Sequence, residues 1–421
     1  MGDNPLSLQP IANESGEKGV AMSILAEHMN KVNASEVAMV SAKALELECQ
    51  GKDIIRLSAG EPDFPTPDHI KMACIKALCD NKTKYPPAIG LPELREAICM
   101  KLKRDNALDY SPGQTIVSSG CKQVLYNAMT ATLNPGDEVI LVAPYWMSYL
   151  GMVQLSRGTP VIIPTRQEEG FKPSAQALEK AITPRTKWLF LNSPGNPSGA
   201  VYSAEDLLAL ADVLRRHPQV WILSDDVYEY IVYDGIKFLN LLNIAPDLKD
   251  RLLVVNGLSK AYCMTGWRLG YGAGPAELIK AMFKIQSQST SGATHFCQWA
   301  GVTALTGDHS FIPLHNAEYG DRRDLVVAMA NRILGLSCSP PQGAFYCYIA
   351  CGAYMGKKTP GGAVISTDEE LVGYLLDEAG VAVIPGTPFG MAPYIRVSFA
   401  TAKPKIKKAF ERIGDALGLL R

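Results

Sequence analysis

Three apolar runs in the middle of the chain, Trp188–Leu191, Val220–Leu223 and Leu252–Val255, each stop at or just before a polar cluster. The first meets Asn192-Ser193-Pro194-Gly195-Asn196, and the second meets Ser224-Asp225-Asp226-Val227-Tyr228. The third ends near Ser259-Lys260. Helical stretches separate them, and Ser203–Arg216 opens with the Ser203…Asp206 spacing of a capped helix. Short apolar strands alternating with helices predict an α/β chain with a mostly parallel, doubly wound sheet. Ligands of such sheets bind outside the carboxyl ends of the strands. That rule puts Asn196, Asp225, Tyr228 and Lys260 on one rim.

Lys260 is the most reactive residue type on that rim. A lysine held beyond a strand end, desolvated by apolar neighbours and close to the cation Arg268, has a lowered pKa and becomes a usable amine nucleophile. Taken alone, it also reads as a surface lysine at the end of a buried strand. The other rim residues likewise have plain structural readings, Asp225 as a strand-end turn residue or helix cap and Asn196 as part of a Pro-Gly-Asn-Pro bend.

The stretch Ser259-Lys260-Ala261-Tyr262-Cys263-Met264-Thr265-Gly266-Trp267-Arg268-Leu269-Gly270-Tyr271 resembles the pyridoxal-phosphate lysine signature of the class I and II aminotransferases, the fold-type I family. The resemblance runs from about residue 35 to 415 and is nearest to the bacterial-type aspartate aminotransferases. It implies a fold-type I transferase: a large domain with the doubly wound sheet and a smaller α+β domain. It also implies pyridoxal 5′-phosphate as cofactor, carried by Lys260 as an internal aldimine. Arg268 would bind the cofactor phosphate together with Gly120-Cys121-Lys122, a glycine turn at a helix N-terminus where free N–H groups suit an anion. One branch of the family has a serine phosphate ligand three residues before the lysine, where this chain has Gly257.

By the same resemblance Asp225 salt-bridges the pyridine nitrogen, and Tyr228 and Asn196 hydrogen-bond the ring's phenolic oxygen. Asp226 stands where a glutamate is usual, a change not expected to alter the chemistry. Trp146 stacks on the ring; read without the family, it is a packed core tryptophan. Gly60, in Gly60-Glu61-Pro62-Asp63-Phe64-Pro65-Thr66-Pro67, lays its backbone against the substrate, and Arg396 grips the substrate α-carboxylate. Tyr85 reaches the cofactor phosphate of a neighbouring subunit, which implies a homodimer with shared sites. Lys122 either serves the cofactor phosphate or, with Ser35, binds a distal substrate carboxylate. The second reading favours aspartate and glutamate, with prephenate or aromatic substrates as the alternative.

The predicted activity is ping-pong transfer of an amino group between an amino acid and a 2-oxo acid. A lyase or synthase on the same fold would use the same cofactor residues. A regulator with an aminotransferase-like sensor would need a fused DNA-binding domain, and the 34 residues before Ser35 leave no room for one. With 41 basic and 42 acidic residues, nothing in the charge favours nucleic acid or a membrane surface. No apolar stretch approaches the roughly 18–20 residues of a membrane span.

Ten cysteines without C-x-x-C pairs and six dispersed histidines give no metal-site spacing, and fit reduced thiols in a cytoplasmic protein. Residues 1–17 read as a flexible arm with no signal-peptide pattern. The expected division is 18–66 with 306–421 as the small domain and 67–305 as the large one.

Overall fold

A computed structural model describes residues 24–32 and 36–421. A seven-stranded sheet forms its centre, in the spatial order Thr115–Ser118, Gly270–Ala273, Leu252–Gly257, Trp221–Asp225, Thr186–Asn192, Glu138–Val142 and Thr159–Ile163. Gly270–Ala273 runs antiparallel to both its neighbours, and every other pairing is parallel. The link 258–269 joins two adjacent antiparallel strands without a crossover helix, and Lys260 lies in it.

Both faces of the sheet are covered, which is why its strands are apolar throughout rather than alternating. Leu252, Val254, Ile222, Leu189 and Leu191 enter the core on one face. Leu253, Val255, Leu223, Trp188 and Phe190 enter the core on the other. Helix Ala204–Arg216 shows how the covering layer is specified. Ser203 and Asp206 form a reciprocal capping box, Leu207, Leu210, Ala211 and Leu214 bury one stripe, and Arg215 and Arg216 sit at the negative end of the dipole.

A separate core gathers around a small antiparallel sheet, Ile384–Pro385, Tyr394–Ser398 and Tyr346–Ala350. Helices Phe311–Arg332, Asp368–Ala379 and Lys403–Gly418 contribute to it. The apolar run Val381–Ile384 is split: Val381–Ala382 pairs in parallel with Ile55–Arg56, and Ile384 joins the small sheet. Within Asp53–Ser58 only Ile55 and Arg56 form a strand.

We propose the domain division given above. Its support is that the cores on the large sheet draw on residues 70–312, whereas the second core draws on 55–57 and 319–420. Tyr228, Ile231 and Tyr233 are the exceptions, reaching from the large sheet's side into the second core. The proposed N-terminal arm and Ser35 lie outside the described residues.

Candidate active site

Asn192 and Asp225 are the last residues of neighbouring strands and face each other in register, so the sheet itself delivers them to one rim. A cavity of about 460 Å³ opens there, and Arg396 and Tyr346 of the small sheet also line it. Gly60, Cys121, Lys122, Trp146, Asn196, Asp225, Tyr228, Lys260, Arg268 and Arg396 all border this cavity.

Lys260 Nζ donates to the Gly60 carbonyl at 2.5 Å and lies 5.6 Å from the Tyr228 ring centroid. Burial is the main cause that brings its pKa down to about 8, and the cations Arg396 and Arg268 push the same way. A neutral amine is therefore accessible near neutral pH, which an ordinary surface lysine does not offer.

The Asp225 carboxylate accepts from the Tyr149 hydroxyl at 2.5 Å and from the Val227 N–H at 3.4 Å. Burial nevertheless raises its pKa to about 6. The group is desolvated with no ion pair among the described residues, so a cationic ligand atom beside it would be favoured.

Beside Arg268, helix Cys121–Thr132 begins at Gly120, whose φ of +85° favours glycine. A Cβ on Gly120 would lie 2.5 Å from Arg268 Nη2, so the glycine is what lets the guanidinium close on the turn. Gln123 fastens the turn by accepting from the Ser119 N–H at 2.7 Å. Free helix N–H groups beside an arginine suit a phosphate. The missing serine at 257 also has a reason: a Cβ there would come within 2.6 Å of Cys121 Sγ and 2.9 Å of the Leu269 carbonyl.

Arg396 is buried, donating to Asn196 Oδ1 at 3.1 Å and to the Ser58 carbonyl at 2.7 Å. Its Nε has no partner among the described residues. Each Nη keeps a further N–H donor, and a guanidinium edge of this kind suits a ligand carboxylate. Lys122 Nζ sits 4.8 Å over the Trp146 ring, and burial followed by Arg268 lowers its pKa. In total the cavity wall carries four cations, Lys122, Lys260, Arg268 and Arg396, against the two acids Glu61 and Asp225.

The aminotransferase class I and II family model matches residues 52–413. The chain belongs to that family. The match fits the residues above, since members of the family use pyridoxal 5′-phosphate. A probable aspartate/prephenate aminotransferase of Rhizobium leguminosarum bv. phaseoli is 53% identical over 93% of this chain and 98% of its own length. An aspartate/prephenate aminotransferase of Cereibacter sphaeroides is 51% identical over the same shares of each chain. The crystal structure of the Rhizobium meliloti aspartate aminotransferase superimposes with a TM-score of 0.91 at 48% identity, covering 94% of this chain and 99% of that one. The Thermus thermophilus aspartate aminotransferase with maleate gives 0.87 at 42%, covering 94% and 100%. These agree with the α/β class expected from the strands and with the fold-type I family that the lysine motif resembles.

Tyr85 stands apart from the cavity in this class I/II aminotransferase. It is 94% exposed and lines a separate surface hollow with Lys84 and His295. Among the described residues no helix is long and apolar enough to cross a membrane, and no cluster of His, Cys, Asp and Glu could hold a metal. Sequence reasoning missed Tyr149, Tyr346, Asn192 and Glu61 as cavity residues. Tyr346 had a usable signal. Arg396 pairs with Tyr348 across the small sheet, so the period of two puts Tyr346 on the Arg396 face.

Proposed function

We propose that this chain holds pyridoxal 5′-phosphate on Lys260 and moves amino groups between aspartate or glutamate and their 2-oxo acids. The observation that carries the reading is the charge of the cavity wall, where three cations, Lys122, Arg268 and Arg396, and two acids surround the Lys260 amine. A phosphate and two carboxylates are the anions that such a wall accommodates. When bound, the cofactor serves as an electron sink for the bond broken at the substrate α-carbon.

The chain's own residues supply the rest. Asp225 pairs with the ring nitrogen, Arg268 and the Gly120–Lys122 turn bind the phosphate, and Trp146 covers the ring. Tyr228 and Asn196 hydrogen-bond the ring's phenolic oxygen. Arg396 clamps the α-carboxylate beside the Gly60 backbone, and Lys260 Nζ, once displaced, carries the proton from the α-carbon. The first oxo acid leaves before the second enters, which is a ping-pong cycle.

The relatives' names support the dicarboxylate choice, and the Thermus thermophilus enzyme was solved with maleate, a dicarboxylate. They also support prephenate as a second acceptor, since two relatives are named for it. Prephenate carries a second carboxylate, so Lys122 has the same task with it.

Lys122→Ala tests the assignment. Lys122 is exposed in this chain, so its loss removes a partly solvated charged hydrogen bond, about 1.5–3 kcal/mol, and kcat/KM for aspartate should fall roughly 10- to 150-fold. An aliphatic or aromatic donor should change much less. Ser35→Ala should move the ratio the same way by a smaller step, since it removes a neutral hydrogen bond. Equal losses for aspartate and an aromatic donor, with weaker cofactor binding, would assign Lys122 to the phosphate instead.

The same proposal includes a cytoplasmic homodimer. Its support is the exposed Tyr85, placed away from its own chain's cavity, and ten cysteines that are all free. Mixing inactive Tyr85→Phe and Lys260→Ala chains should restore activity in the hybrid sites that regain both residues. A fully active monomer in light scattering would contradict it.

A further inference from the structure

Tyr346 is 1% exposed, yet it reaches the cavity wall. Its hydroxyl lies 2.8 Å from that of Tyr228, with the two rings edge to face at 5.8 Å. Its ring lies under Arg396, the guanidinium carbon 4.5 Å from the ring centroid. A Cβ on Gly60 would stand only 3.1 Å from the Tyr346 hydroxyl, and the Gly60 carbonyl is the acceptor for Lys260. One side chain thus adjoins the amine's backbone partner, the carboxylate clamp and Tyr228.

Packing explains the ring but not the hydroxyl. The neighbouring Phe345 fills the same core with no polar atom. Burying a hydroxyl is unfavourable unless it is hydrogen-bonded, and Tyr228 is the partner the structure provides. Burial raises the pKa of both phenols, so each keeps its one proton. Between two such oxygens only one proton can lie. If Tyr228 points its proton into the cavity, Tyr346 must be the donor of the shared bond.

We propose that Tyr346 is a positioning residue that donates to Tyr228 and so turns the Tyr228 proton towards the ligand. A hydroxyl that accepts a hydrogen bond is polarised into a better donor. The proposal rests on the cofactor reading above, in which Tyr228 hydrogen-bonds the ring's phenolic oxygen. With Tyr228 a stronger donor, the anionic form of that oxygen would be favoured, and the Lys260 nitrogen joined to the cofactor would lose its proton at lower pH.

The test is Tyr346→Phe, which keeps the ring beneath Arg396 and removes only the hydroxyl. The readout is the pH midpoint of the near-visible absorbance of the cofactor-loaded protein without substrate. The midpoint should rise by about half a unit to one unit, the size of one neutral hydrogen bond. KM for the amino donor should change less than about twofold, because the carboxylate clamp keeps its support. In a Tyr228→Phe background the same substitution should leave the midpoint where it is, since the coupling partner is gone.

A midpoint that stays fixed or falls in the single variant overturns the proposal, as does an equal rise in the Tyr228→Phe background. A lowered melting temperature with an unchanged midpoint makes Tyr346 a packing residue and likewise overturns it. The two levels fail differently. Wild-type protein with no near-visible band would overturn the cofactor reading, and this inference with it. A normal band with an immovable midpoint overturns this inference alone.

Discussion

Lys260→Ala is expected to lower amino transfer by at least about ten-thousand-fold, the upper range for a lost general acid–base group that here is also the nucleophile. The Nζ lies against Gly60 O and within 5.8 Å of the Tyr228 and Phe345 ring centroids, and Arg268, Arg396, Lys122 and Asp225 border the same cavity. Alanine leaves those groups in place, so cofactor can still bind noncovalently. The near-visible band of the lysine-bound cofactor should vanish. The pH dependence follows from the amine's own ionisation. Its pKa is lowered to about 8, and only the neutral form attacks. Capture of free cofactor by the apoprotein should therefore speed up as pH rises towards 8 and level off above it. A variant with an unchanged band and wild-type turnover would remove Lys260 from the chemistry.

Arg396→Ala should be nearly as severe, and its pattern across substrates should differ from that of Lys122→Ala. The guanidinium is buried and held by Asn196 and the Ser58 carbonyl, so its remaining N–H donors are fixed in place before the ligand arrives. Its loss leaves an α-carboxylate unpaired in a desolvated pocket, at a cost of about 2–5 kcal/mol or more. That corresponds to roughly 30- to several-thousand-fold in kcat/KM. Every α-amino acid shares this carboxylate, so aspartate and aromatic donors should lose in proportion. A loss confined to dicarboxylates would move Arg396 to the distal end of the substrate.

The strand-end residues were legible because the sheet is buried on both faces. Its strands then read as apolar runs, and the polar residues at their ends stand out. Gly270–Ala273 was not legible as a strand, since two of its four residues are glycine and the chemistry-bearing motif runs straight through it. Ile55–Arg56 and Ile384–Pro385 are too short to show any period, and long-range pairing alone defines them. Tyr149 was missed for another reason. It carries no motif of its own, and only the fold brings its hydroxyl to Asp225 across 76 residues. Gly257 shows the reverse case, in which a departure from a relative's pattern became intelligible only once Cys121 and Leu269 were found against it.

The most direct test of amino transfer follows the nitrogen itself. Cofactor-loaded protein, aspartate labelled with ¹⁵N and unlabelled 2-oxoglutarate should give labelled glutamate and oxaloacetate in equal amounts, with no free ammonia. The Lys260→Ala protein should give neither product. Aspartate consumed with ammonia or carbon dioxide released and no labelled glutamate would contradict amino transfer and point to a lyase on the same fold.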